Sequence, residues 1–115
     1  MAEIMFAMPI LPGKTQAAKE MFDTINTSRK NEAEAANSRH GITKDAWFIQ
    51  SSPQGDFILG YLETNNPQKS MAAYATDQDA FAVWSRNTFK RITGIEMSDP
   101  VGSPAPTEQM WRSGY

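Results

Sequence analysis

The feature that most restricts the fold is a predicted β-hairpin that is apolar on both of its faces. Two runs rich in aromatic and β-branched residues, 45–51 and 56–64, flank the turn sequence Ser-Pro-Gln-Gly at 52–55. Successive side chains of a strand point in opposite directions, so Trp47 and Phe48 lie on different faces of the hairpin. Helices of the same chain can cover one face, but 115 residues hold no further layer for the other. The uncovered face therefore predicts a partner subunit.

The remaining pattern places a strand and a helical region before the hairpin, and a helical region and a short strand after it. The predicted segments are a strand at 3–11, a helix at 14–39, a helical region at 67–93 interrupted near 76–77, and a strand at 95–97. Gly41 and Gly94 suit the left-handed position just past a helix end, and Asn66 suits an N-cap. Asp77 could cap the helix that follows the interruption, and capping also explains the nearby Asp79.

The order of these elements, β-α-β-β-α-β, predicts an α+β, ferredoxin-like domain at residues 1–99, with an antiparallel sheet and both helices on one face. Two such sheets packed face to face would form a symmetric dimeric α/β barrel. Residues 100–115 are a Pro/Gly-rich C-terminal tail without periodicity. Because it ends with Met110, Trp111 and Tyr115, we expect it to dock on its own subunit or on the partner.

Composition excludes several classes of function. A formal net charge of −2 leaves no basic surplus for nucleic-acid binding by counterion release. Without cysteine and with a single histidine, the chain lacks the ligands of a zinc site, so we expect no metal and no cofactor. No apolar run approaches the ~20 residues that span a bilayer, and residues 1–11 lack the basic start of a signal peptide. We therefore expect a cytoplasmic protein that does not bind a membrane.

The predicted first helix has an apolar stripe that becomes polar halfway along its length. Ala18, Met21, Phe22 and Ile25 lie on one face at helical spacing. The same face continues through Ser28, Arg29, Glu32, Ala36, Arg39 and His40. We expect this half of the helix to face a pocket, a partner or water rather than a core.

Four residues of this polar half are candidates for ligand chemistry. His40 or Glu32 could move a proton at the mouth of a pocket, although His40 also suits the role of a cation at a helix C-terminus. Arg29 and Arg39 could anchor an anionic ligand, since a guanidinium binds a carboxylate through two parallel hydrogen bonds. The alternative is a structural ion pair, because Arg29 and Glu32 are three residues apart on the helix.

Large aromatic residues are expected in the space between the helices and the sheet. They are Trp47, Tyr61, Phe81 and Trp84. Aromatic side chains dominate small cores, so core filling explains all four. Trp47, Tyr61 and Trp84 could instead line a pocket for an apolar ligand, because their polar tips favour a cavity that holds water or a ligand.

Several motifs follow one another through the middle and end of the chain. They are Gly-Ile-Thr at 41–43, Trp47, Gln-Gly-Asp at 54–56, and the stretches 79–84 and 93–96. Over residues 29–100, the chain resembles a family of small, uncharacterised bacterial proteins in the dimeric α/β-barrel superfamily. The resemblance implies the fold and the dimer but no reaction. The wider superfamily includes cofactor-free monooxygenases and haem-degrading enzymes, and the Asn, Trp and His constellation of the latter has no clear match in this chain.

Two functions of different classes follow. The first is a homodimeric barrel that binds a small apolar or anionic ligand between sheet and helices, and that could be a cofactor-free enzyme of the monooxygenase type. Its pocket would be lined by Arg29, Glu32, Arg39, His40, Trp47, Tyr61 and Trp84. The second is a non-enzymatic dimeric assembly module. Convergence of these side chains on one void would favour the first, and paired or exposed side chains would favour the second.

Overall fold

A computed structural model describes residues 2–99 and 107–114 of the chain. Its elements are β1 (Ala2–Pro9), α1 (Thr15–Asn26), α2 (Lys30–His40), β2 (Ile42–Ser52), β3 (Gly55–Thr64), α3 (Pro67–Thr76) and α4 (Ala80–Thr93). The strands form one antiparallel sheet in the order β1-β3-β2. The predicted α+β class, with an antiparallel ferredoxin-like sheet, is confirmed.

The core lies between one face of the sheet and the helices. Met8 of β1, Ile58 of β3 and Ile92 of α4 are fully buried in a single apolar cluster. Trp47 and Ile49 of β2 pack against the same cluster. Burial alternates along β1 and β3, because every second side chain points into this core.

The opposite side of the sheet, here called the outer face, is also apolar. In the strand register its apolar residues are Met5, Ala7, Ala46, Phe48, Phe57, Leu59 and Tyr61. Met5 remains 48% exposed and Phe48 remains 59% exposed. A sheet with helices on one side leaves these side chains facing water in the single chain.

The predicted single helix at 14–39 is wrong, because the chain breaks into α1 and α2 at residues 27–29. The hydroxyl of Thr27 donates to the carbonyl of Asp23 (2.7 Å), and that of Thr24 donates to the carbonyl of Glu20 (3.0 Å). Hydroxyl side chains that bond to the backbone compete with the helical hydrogen bonds and favour a break. The predicted helix end at Gly41 is confirmed, with a φ of 73°.

The second helical region is interrupted where the sequence predicts it, between α3 and α4. Asn66 caps α3 as expected, since its side chain accepts the N–H of Lys69 at 3.1 Å. The predicted cap of α4 at Asp77 is wrong. Asp79 caps α4 by accepting the N–H of Phe81 (3.1 Å), while Asp77 accepts the N–H of Asp79 (2.9 Å). The cap lies two residues later because Asp77 is occupied in the connecting turn.

The predicted fourth strand at 95–97 is also wrong, since no strand includes these residues. The hydroxyl of Thr93 accepts the N–H of Ile95 (3.1 Å) and the carbonyl of Glu96 accepts that of Asp99 (3.1 Å), which bends the chain into a turn. Ile95 and Met97 pack against the core instead of extending the sheet.

The tail meets the sheet at the free edge of β1. The backbone N–H of Met5 donates to the hydroxyl of Thr107 (3.1 Å), and the N–H of Thr107 donates to the carbonyl of Met5 (3.3 Å). Farther along, Arg112 lies 3.6 Å from the carboxylate of Glu3. These contacts place Thr107 and Arg112 beside β1. Met110 and Trp111 stay exposed, so the predicted docking of these two side chains is not seen on their own subunit. The predicted docking of Tyr115 lies outside the described residues.

Candidate functional site

A groove lies between α1 and β2, at one edge of the sheet. Its volume is about 410 Å³, and it is open to solvent. The lining residues are Lys19, Phe22, Asp23, Asn26, Trp47, Phe48 and Ile49. Trp47 and Ile49 point to the helix side of the sheet, whereas Phe48 points to the outer face. The groove therefore reaches around the β2 edge from one side of the sheet to the other.

The floor of the groove is the indole of Trp47, and a glycine makes room for it. Gly60 of β3 lies directly opposite Trp47, and a Cβ on Gly60 would lie 2.6 Å from Cζ3 of the indole. The indole also packs against the rings of Phe22 (centroids 5.9 Å apart) and Phe89 (5.6 Å). Its N–H donates to the carboxylate of Asp45 at 2.9 Å. These contacts fix the indole in one orientation.

One rim of the groove is polar. Lys19, Asp23 and Asn26 follow one another on α1 at spacings of four and three residues, so they share a helix face. All three side chains are exposed. An ammonium, a carboxylate and an amide beside an aromatic floor offer both hydrogen-bond donors and acceptors to a ligand that also has an apolar face.

Arg39 and His40 lie elsewhere, in an ion-pair cluster where α2 meets the connection between α3 and α4. Nε2 of buried His40 lies 2.7 Å from the carboxylate of Asp77, and the guanidinium of Arg39 donates to the same oxygen at 2.9 Å. The backbone N–H of Asp79 and the guanidinium of Arg39 hold the pKa of Asp77 well below its ordinary value. These side chains are paired with one another rather than directed into the groove.

Arg29 and Trp84 form a stacked pair at the break between α1 and α2. The guanidinium lies 4.6 Å from the centroid of the Trp84 ring and 5.9 Å from that of Phe81. Glu32 makes a loose ion pair with Arg29 at 3.8 Å. Nη1 of Arg29 is buried without a hydrogen-bond partner among the described residues. This packing ties the helices together, and it uses Trp84 as a platform for a cation rather than as a pocket wall.

Tyr61 lies on the outer face, so the prediction that it faces the helices is wrong. It is opposite Met5 and Ala46 in the register, on the side of β3 away from the buried Ile58. Its hydroxyl lies 2.8 Å from the carboxylate of Glu63 and 2.9 Å from that of Glu3. The hydrogen bond to Glu63 is the largest cause of a pKa raised above the ordinary value for tyrosine.

The seven candidate residues of the sequence therefore fall into four separate places, and Trp47 is the one that lines the groove. Sequence reasoning missed Lys19, Asp23 and Asn26. Their spacing along the helix next to Phe22 was the available signal, but solvated helix faces show the same pattern. The ligand-binding and catalytic roles of the other candidates stay predictions.

Neither a metal centre nor a membrane-spanning helix occurs in the described part of the chain. Within residues 2–99 and 107–114, no three His, Asp or Glu side chains come together as metal ligands. No helix in the same ranges is long and apolar enough to cross a membrane.

Comparison with known proteins identifies a similar fold. No family model and no curated protein matches the chain. Among solved structures, the crystal structure of an L-rhamnose mutarotase from Formosa agariphila is similar over 99% of this chain and 100% of that one, with a TM-score of 0.62 and 16% sequence identity. The structural likeness shows a shared ferredoxin-like α+β fold. At 16% identity it does not show the function of this chain, which has to be argued from the chain's own residues.

Proposed function

We propose that the protein is a homodimer that binds a small polyhydroxylated ligand of the sugar class in the groove between α1 and β2. The groove carries this proposal, because it joins the fixed indole of Trp47 to the polar rim of Lys19, Asp23 and Asn26. A sugar has hydroxyls for such a rim and C–H faces for an aromatic floor. The fold shared with an L-rhamnose mutarotase makes monosaccharides the first ligands to test.

The outer face of the sheet supports the homodimer. Exposed Met5 and Phe48 lie among further apolar residues of the same face. Burial of apolar surface is worth about 25 cal/mol per Å², and a stable interface takes about 800 Å² from each subunit. A second copy of the same face, related by a two-fold axis, would cover these residues in the barrel arrangement that the resemblance implies.

The chemistry available in the groove is that of a weak acid and a weak base. Exchange between sugar anomers requires a proton donor at the ring oxygen and an acceptor at the anomeric hydroxyl. Lys19 and Asp23 lie one helical turn apart on the rim, and their side chains are of the donor and acceptor types that this exchange uses. An oxygenase site needs an enclosed apolar pocket, so the open, half-polar groove supports sugar binding better than the monooxygenase type of reaction.

The test uses tryptophan fluorescence. With excitation selective for tryptophan, a Trp84→Phe variant reports on Trp47 and Trp111, since the chain has three tryptophans. We expect a saturable change with one or more monosaccharides at millimolar affinity, typical of small polar ligands. Asp23→Ala should abolish the change, whereas Lys30→Ala, on the exposed surface of α2 away from the groove lining, should preserve it.

One result would refute sugar binding in this groove. If no monosaccharide, L-rhamnose included, changes the fluorescence or gives heat by calorimetry, sugar binding in this groove is refuted. Saturation-transfer NMR between the two anomers of a sugar that binds then shows whether exchange is accelerated. Loss of that acceleration in Lys19→Met, with binding retained, would assign the proton donor.

A second candidate function has an observation of its own. The polar residues of α2 that suggested a pocket are paired inside the subunit, through Asp77 to Arg39 and His40. Paired side chains favour the non-enzymatic dimeric assembly module. A dimer in which every monosaccharide leaves the tryptophan fluorescence unchanged would be the result that selects this alternative.

A further inference from the structure

The C-terminal segment 107–114, here called the arm, is held in place yet exposes its largest side chains. Two hydrogen bonds join Thr107 to Met5, one of them to the Thr107 hydroxyl and one between backbone groups, and an ion pair joins Arg112 to Glu3. The arm thus runs against the direction of β1 along its edge. Between the two anchors, Met110 is 83% exposed and Trp111 is 81% exposed. Anchors on both sides of two exposed apolar residues place these residues at the β1 edge of the sheet.

The other edge of the sheet is β2, and it carries the groove. Phe48 lies at that edge, points to the outer face, is 59% exposed and lines the groove. When two sheets meet face to face through a two-fold axis parallel to their strands, the β1 edge of each copy lies over the β2 edge of the other. An axis perpendicular to the strands would instead bring like edges together.

The two arrangements bring different exposed residues together. With unlike edges together, Met110 and Trp111 of the arm reach the exposed Phe48 of the other copy, so that apolar surface at both edges is covered at once. With like edges together, Phe48 of one copy faces Phe48 of the other, and each arm faces the other arm instead of the groove. Both arrangements cover apolar surface, but only the first brings side chains of the arm to the open side of the groove.

We propose that the arm of each subunit crosses the dimer interface and that its Trp111 packs on Phe48 of the second copy, closing the outer side of the groove there. This inference rests on the proposed homodimer. The ligand site is then shared, with Trp47, Lys19 and Asp23 from one subunit and a second indole from the other. A ligand would lie between two aromatic faces, and its affinity would depend on the dimer.

Disulfide trapping tests the contact directly, because the chain has no cysteine of its own. Trp111→Cys and Phe48→Cys are prepared as separate variants with tags of different mass, mixed and allowed to exchange subunits. Mild oxidation should then yield a covalent heterodimer of the two tagged chains. Glu34→Cys, on the exposed surface of α2, replaces Phe48→Cys in the matched control and should yield no more than background.

The outcomes separate the inference from the proposed function. A monomer in sedimentation velocity overturns the homodimer and this inference with it. A dimer without the cross-link between positions 111 and 48, or one in which Trp111→Cys cross-links to itself, overturns the arm contact and leaves the dimer standing. Trp111→Ala adds a second readout: the dimer dissociation constant should rise about tenfold or more, since a buried aromatic is a common hot spot, and an unchanged constant contradicts the proposal.

Discussion

Gly60 is the position where one methyl group should reveal how tightly the groove floor is packed. A Cβ added there would lie 2.6 Å from Cζ3, 2.9 Å from Cε3 and 2.9 Å from Cη2 of Trp47. These are atoms of a rigid ring that Phe22 and Phe89 hold from other directions. The indole cannot turn away as the end of a flexible chain would, so Gly60→Ala forces the ring or the strands to move.

Two opposing effects set the magnitude of the change. Alanine removes conformational freedom from the unfolded chain, which stabilises by about 0.4–1 kcal/mol where the backbone allows it. The backbone of Gly60 lies in a strand and does not need a positive φ. Overpacking a well-packed core costs about 1–3 kcal/mol. The clash with the indole outweighs the gain from the unfolded chain, and we expect Gly60→Ala to lower the free energy of unfolding by about 1–2 kcal/mol.

The assay is urea unfolding followed by circular dichroism, with the wild-type chain and three variants. Gly60→Ala should lower the midpoint without changing the slope. In a Trp47→Leu background, where the indole is absent, the same substitution should become neutral or stabilising, so the sign of its effect reverses. The coupling energy of this double-mutant cycle should be about 1–3 kcal/mol. A Gly60→Ala variant as stable as wild type, or a destabilisation that persists without the indole, would refute the packing argument.

Two further predictions concern pH and carry their own controls. The folded pKa of Asp77 lies below its ordinary value of 3.8, so the unfolded chain binds the proton first, and the free energy of unfolding should fall as pH drops below about 4. Asp77→Asn should be less stable than wild type at pH 7, by about 1–3 kcal/mol, and should lose this acid dependence. Burial raises the pKa of Tyr74 to about 12 from 10.0, so stability should fall as pH rises between these values, and absorbance titration should show one fewer late-ionising phenol in Tyr74→Phe. Identical acid unfolding of wild type and Asp77→Asn, or ionisation of Tyr74 near pH 10, would contradict these expectations.

The sequence predicts the sheet well and the helix boundaries less well. Alternation in the hairpin and the capping sequence at Asn66 are local signals, and local contacts dominate both features. The break at residues 27–29 depends on hydroxyl groups that bond back to the helix, and a periodic apolar pattern runs through such a break unchanged. The segment 95–97 has the composition of a strand, but the hydroxyl of Thr93 directs the chain into a turn.

The site was harder to predict than the fold because polar side chains on a helix identify no partner by themselves. The sequence correctly identified Trp47 as a lining residue, since a large aromatic side chain in a hairpin either fills the core or lines a pocket. Tyr61 was assigned to the wrong side, although its alternation with Ile58 and Leu62 fixes its direction once β3 is known. The rim residues Lys19 and Asp23 could be recognised only when α1 and β2 were placed side by side.

The polar half of the helical stripe now has a physical explanation that requires no ligand. The chain turns between α1 and α2, so α2 meets α3 and α4 as well as the edge strand β2. A buried imidazole and a guanidinium at this junction need a charged acceptor, and Asp77 supplies it at 2.7 Å and 2.9 Å. Arg29 at the turn is stacked on Trp84. The polarity of the stripe on α2 is thus explained by contacts inside the subunit, whereas the exposed polar side chains that adjoin the indole of Trp47 lie on α1.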